Sequence, residues 1–160
     1  RDTDGTVAGL IQALGDVSLV QKNVFVQFYG DNMPMLTSWL QSNGAQVEEI
    51  LPYRHVPPEP ETMRTLVSEI LAQKVDAVAF TSTPQVRFLF QYAKETGRAK
   101  ELQQSFDQSV VALAVGKVTA EAIRDEGVAR VVSPQIERMG VMILKLAEFY
   151  ARQSMNHDQT

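Results

Sequence analysis

The amino-acid sequence predicts an α/β fold: a parallel sheet with helices on both faces, flavodoxin-like, built from five strand-helix units. Three observations lead there. The short runs "VFVQFYG" (24 to 30), "DAVAFTS" (76 to 82) and "VVALAVG" (110 to 116) are nearly continuously apolar, as strands buried on both faces are. Helical patterns lie between them. The alternation of strand and helix selects parallel strands joined by crossover helices.

The elements follow in chain order. A helix over roughly residues 3 to 14 precedes the first strand. "MPMLTSWLQSNG" brings Met35, Leu36, Trp39 and Leu40 to one face and stops at Asn-Gly. "QVEEILPY" (46 to 53) reads as a weaker strand. "ETMRTLVSEILAQK", "QVRFLFQYAKETG", "VTAEAIRDEG" and "QIERMGVMILKLAEFYARQ" read as helices, and "ARVVSP" (129 to 134) as a last short strand. The proline-rich joint "YRHVPPEPE" (53 to 61) interrupts the alternation as a linker or hinge.

Composition narrows the function classes. A chain of 160 residues suffices for one domain with a sizeable core. Apolar residues make up 44% with no run near the length of a membrane span, so a soluble, cytoplasmic protein is expected. A net charge of -4 argues against a nucleic-acid surface. The chain has no cysteine, and its two histidines, His55 and His157, are isolated; disulfides, thiolate chemistry and a zinc site are not expected. It begins at Arg1 without a signal segment, which suggests a piece of something longer.

Ligands of an open parallel sheet bind beyond the carboxyl ends of its strands, where helix N-termini present N–H groups. Those ends are Tyr29-Gly30-Asp31-Asn32, Thr81-Ser82-Thr83, Gly116-Lys117-Val118-Thr119 and Ser133-Pro134. At "TSTP", Ser82 or Thr83 either caps the helix begun by Pro84 or binds a ligand. Thr119 falls in the first turn past the cap position, so it is either structural or turned to the crevice. Tyr53 is a packed ring or a reacting group. "GKVTA" lacks the glycine and Lys-Ser/Thr pair of a P-loop, no dinucleotide fingerprint occurs, and "STP" lacks the setting of a serine nucleophile.

"DAVAFTSTPQVRFLF", "VVALAVGKVTAEAIRDEGV" and "SPQIERMGVMILKL" resemble, in order and spacing, the C-terminal half of uroporphyrinogen-III synthase. "VFVQFYGDNMPMLTSWLQSNGAQVEEILPYRHVPP" is similar to that family's middle segment; Lys117 departs from its frequent proline. The resemblance implies two α/β domains joined by a linker, with the substrate in the cleft. It implies that residues 1–53 belong to the family's second domain, 54–61 to the linker and 62–160 to the first domain. The alternative is one domain closing over 1–160, or two copies exchanging halves where the family is monomeric.

The activity implied is that of a lyase of tetrapyrrole and haem biosynthesis. It cyclises hydroxymethylbilane to uroporphyrinogen III with inversion of the last ring and loss of water. No metal or cofactor is implied. Tyr53 matches the family tyrosine that helps the hydroxyl leave, and Ser82, Thr83, Gly30, Gly116, Lys117, Val118 and Thr119 would bind the substrate's carboxylates. The rival reading is a non-catalytic ligand-binding or regulatory module of a larger fusion.

Overall fold

A computed structural model describes residues 6–157. The chain divides into two compact units, Arg1–Val56 and Pro57–Thr160, and the boundary falls within the proline-rich joint.

The first unit holds α1 (Val7–Leu14), β1 (Asn23–Gln27), α2 (Pro34–Ser42) and β2 (Gln46–Ile50). The first helix starts at Val7 because the Thr6 hydroxyl caps it, accepting the Gly9 N–H at 3.0 Å. The part of that helix expected over residues 3 to 5 lies outside the described residues. α2 opens on Pro34, whose missing N–H costs nothing there, and the chain leaves its end through Gly44 at φ +85°. β1 and β2 pair in parallel from Asn23↔Gln46 to Gln27↔Ile50. One sheet face carries Val24, Val26 and Val47 against a small core of Leu19, Leu36, Leu40 and Ala45. The opposite face leaves Phe25 61% exposed.

The second unit holds α3 (Pro60–Leu71), β3 (Ala77–Phe80), α4 (Thr83–Glu95), α5 (Ala99–Gln108), β4 (Val111–Ala114), α6 (Lys117–Asp125), β5 (Val131–Val132) and α7 (Met139–His157). Its sheet runs β3-β4-β5, all parallel. All four residues of β4 are buried, as its apolar run foretold. Around it, Phe80, Phe90 and Phe106 stack at centroid distances of 6.1 and 6.2 Å.

Three departures from the sequence reading have local causes. α5 was not expected: only Leu102 and Phe106 are buried on it, one turn apart in an otherwise polar segment. The chain enters it through Gly97 at φ +72°, a reversal that lets the Arg98 N–H reach the Ala93 carbonyl at 2.7 Å. α7 begins at Met139 rather than Gln135, leaving residues 135–138 outside any helix or strand, with a bend at 135–136. The strands form sheets of two and three rather than one of five. Pro57, Pro58 and Pro60 lack the N–H groups that would carry backbone pairing through the joint. Among the described residues, no helix is long and apolar enough to cross a membrane.

Candidate functional site

In the second unit, strand register brings two of the expected loops together. Phe80 lies opposite Ala114, and the Val115 N–H donates to the Phe80 carbonyl at 2.9 Å. The ends of β3 and β4, and with them the first residues of α4 and α6, are therefore neighbours.

Ser82 occupies the cap position of α4 in an extended conformation, yet its hydroxyl makes no cap hydrogen bond. Thr83, the first helical residue, is exposed. Gln85 closes this turn instead: its Oε1 accepts from the Thr81 N–H at 2.8 Å and the Thr81 hydroxyl at 3.2 Å. The expectation that Ser82 or Thr83 caps the helix is corrected accordingly. A third-position amide reaches back to Thr81, the residue between the strand and the cap, a capping box displaced by one position. Pro84 removes one further orphan donor. The Ser82 and Thr83 hydroxyls thus have no capping role.

At α6, Gly116 is the cap residue, in extended conformation and buried. Lys117 and Val118 are exposed, whereas Thr119 is only 5% exposed, so little of its side chain meets a crevice. The sequence reading missed Glu137. Its Oε1 accepts the Lys117 N–H at 2.7 Å, and a Cβ on Gly116 would come within 2.6 Å of its carboxyl carbon. A carboxylate of the protein therefore already sits at the positive end of this helix, where a ligand's carboxylate was expected. Twenty residues separate the partners, so only the course of the β5–α7 loop could reveal the pair.

In the first unit, the ends of β1 and β2 carry aromatic rings. The Phe28 N–H donates to the Ile50 carbonyl at 2.9 Å, aligning the two exits. Tyr29 and Tyr53 meet edge to face, with centroids 5.2 Å apart and planes at 88°. His55 lies 5.5 Å from Tyr29 and 6.1 Å from Tyr53, ring centre to ring centre. Its Nε2 sits 3.1 Å from the Tyr29 carbonyl, a contact in which that nitrogen must donate. Gly30 has φ +80°, and a Cβ there would lie 2.2 Å from His55 Nε2. Glycine is thus required twice, by conformation and by the imidazole. Desolvation and the neighbouring Tyr29 phenol push the Tyr53 hydroxyl above the ordinary phenol value. The sequence placed Tyr29 at a ligand-facing strand end but not beside Tyr53, and singled out His55 for no site role, because both approaches depend on strand register.

Among the described residues, no group of three metal-ligating side chains converges. A cavity of about 330 Å³ is lined by Pro57, Pro60, Met63, Phe88, Tyr92 and Glu95. It lies towards the C-terminal end of α4, away from Ser82 and Thr83, and none of the expected site residues enters it.

A family model described as Uroporphyrinogen-III synthase HemD matches residues 1–143. "Uncharacterized protein YjjA" of Bacillus subtilis (strain 168) is 48% identical over 149 residues, covering 93% of this chain and 55% of that protein. Among solved structures, a mutant uroporphyrinogen III synthase from the extreme thermophile Thermus thermophilus is similar, with a TM-score of 0.71 and 35% identity over 93% of this chain and 56% of that one. A wild-type form of that enzyme gives a TM-score of 0.58 at 36% identity over 95% of this chain and 56% of that one. The chain thus spans a little over half the length of the relatives it matches. With the family model matching nearly its full length and the solved synthases sharing its fold, the chain belongs to the uroporphyrinogen-III synthase family.

Proposed function

We propose that this chain is part of a uroporphyrinogen-III synthase that folds hydroxymethylbilane and closes it to uroporphyrinogen III with inversion of the last ring and loss of water. The single observation that carries the proposal is the pair of adjacent helix starts at the ends of β3 and β4. Ser82 and Thr83 have hydroxyls without capping duty there, and the α4 start is the open one of the two, since the Glu137 carboxylate already takes the Lys117 N–H at the α6 start. A substrate rich in acetate and propionate groups needs such donors. Gly30 and the exposed side chains of Lys117 and Val118 lie at the same kind of strand end, whereas Thr119 is buried and Gly116 lies beneath Glu137, so neither is kept as a substrate contact in this reading.

Tyr53 is the catalytic donor in this reading. Its phenol, protonated at neutral pH as any phenol is, gives its proton to the leaving hydroxyl as the substrate's C–O bond breaks, so that water departs, and regains a proton from the pyrrole N–H as the azafulvene forms. Most of the remaining rate comes from holding the flexible chain in a closed shape, an entropic contribution that needs no cofactor. Residues 1–53, 54–61 and 62–160 take the roles of second domain, linker and first domain in this proposal. One copy is enough; exchange of halves between copies has no observation behind it.

The test has two arms. In the intact gene product, supplied with hydroxymethylbilane and with product isomers resolved, Tyr53→Phe lowers turnover about 10- to 100-fold while affinity holds. Titration with a uroporphyrinogen shows Ser82→Ala and Thr83→Ala weakening binding about 10-fold or more each, with melting temperature nearly unchanged. Full turnover by Tyr53→Phe removes the catalytic role. Binding without any type III product from the unaltered protein favours the non-catalytic module instead.

A further inference from the structure

The aromatic trio of the first unit is costly as packing. Tyr29 is 69% exposed and Tyr53 41% exposed, so neither ring gains much by leaving water. Yet the three rings are held by specific devices: an imidazole bonded to the Tyr29 carbonyl, a glycine that alone fits beneath it, and an edge-to-face contact at 5.2 Å. Exposed groups fixed so closely at a strand end serve orientation rather than stability.

We infer that Tyr29 is a positioning residue for Tyr53, with His55 as the brace that fixes Tyr29. The inference rests on the proposed catalytic role of Tyr53. The physical chain has three links. His55 donates from Nε2 to the Tyr29 carbonyl and so fixes the backbone where β1 ends. That backbone sets the Tyr29 ring, which meets Tyr53 nearly perpendicularly and limits its rotation. The Tyr53 pKa is raised by desolvation and then by the Tyr29 phenol, so the two hydroxyls are electrostatically coupled. Tyr29 need not touch the substrate to do this.

Two measurements decide it. Four tyrosines occur in the chain, so labelling their ζ-carbons gives four resonances, each assigned by a Tyr→Phe variant. The titratable groups in ring contact with Tyr53 are Tyr29 and His55. Because Tyr29 raises the Tyr53 value, Tyr29→Phe moves the Tyr53 midpoint down. An unmoved midpoint overturns the coupling, whatever the catalytic result. In the intact gene product, Tyr29→Leu, which removes the ring, lowers kcat about 3- to 10-fold with KM within about twofold, a smaller loss than removal of the donor itself. In a Tyr53→Phe background it costs nothing more, since the group it positions is gone. Losses that multiply, or full kcat in Tyr29→Leu while Tyr53→Phe is impaired, overturn the positioning role. Full activity of Tyr53→Phe sinks the catalytic reading alone; a midpoint that still moves leaves the Tyr29–Tyr53 pair standing.

Discussion

In the first unit, one face of a two-stranded sheet is bare, with Phe25 61% and Ile50 42% exposed, and the core beneath the other face is small. In the second, every residue of β4 is buried, and Leu102, Phe106 and Ile123 are wholly inaccessible. The difference extends to chemistry. The first unit presents aromatic and imidazole side chains, whereas the second presents backbone N–H groups and short hydroxyls at helix starts that a rigid core holds in place. Side-chain chemistry tolerates a lightly built scaffold when its rings brace one another.

Truncating one ring in each unit puts that contrast under the greatest load. Phe106→Ala removes a fully buried side chain and should cost about 3–5 kcal/mol, enough to unfold the second unit. Phe25→Ala should cost under about 1 kcal/mol, because most of that ring already meets water. Separate denaturation curves for the two variants check this, and equal losses would show that the bare sheet face is covered in solution.

Next in size are the two glycines beneath polar side chains. Gly30→Ala should cost about 1–2 kcal/mol for its positive φ alone, and more for the His55 ring it displaces. His55→Ala should relieve only the second part. Gly116 is extended at φ -168°, which any residue adopts, so Gly116→Ala is penalised only by the Glu137 carboxylate. In a Glu137→Ala background it should be close to neutral. A double-mutant cycle at each site distinguishes the cases: full rescue at Gly30, or none at Gly116, contradicts the geometry.

The smallest effect is alkaline. Tyr150 donates its hydroxyl to the Asp76 carbonyl at 2.8 Å, and desolvation, then the Asp76 charge, raise its pKa above 10.0. The folded state therefore holds this proton more tightly than the unfolded one. Its contribution is complete below the ordinary phenol value and is lost as pH rises past it through the raised one. Thermal melts of the second unit should drop more steeply above that point in the parent than in Tyr150→Phe; parallel curves would show that the bond contributes nothing.

Much of this is legible in the chain. Alternating apolar runs and helical periods foretell a parallel α/β fold, and Pro34 and Pro84 mark helix starts because a missing N–H is harmless there. The same logic finds the strand ends that carry Gly30, Tyr53, Ser82, Thr83 and Gly116. It does not find α5, since Leu102 and Phe106 alone give too short a period to stand out from a polar segment. Nor does it find the cap at α4, where Ser and Thr are the usual acceptors but the side chain of Gln85, one turn on, reaches the same turn.

The class of fold, the order of the strands and of every helix but α5, and the loops that could face a ligand follow from the residue string. Local backbone preference and hydrophobic period depend on neighbours within a turn or two. Folding in three dimensions was needed to place Glu137 on the Lys117 N–H, to bury Thr119, and to gather Tyr29, Tyr53 and His55 into one cluster. The Glu137 and His55 contacts join residues 20 and 26 positions apart. They are set by strand register and by the path of loops, and each follows from packing summed over a unit rather than from any short stretch of chain.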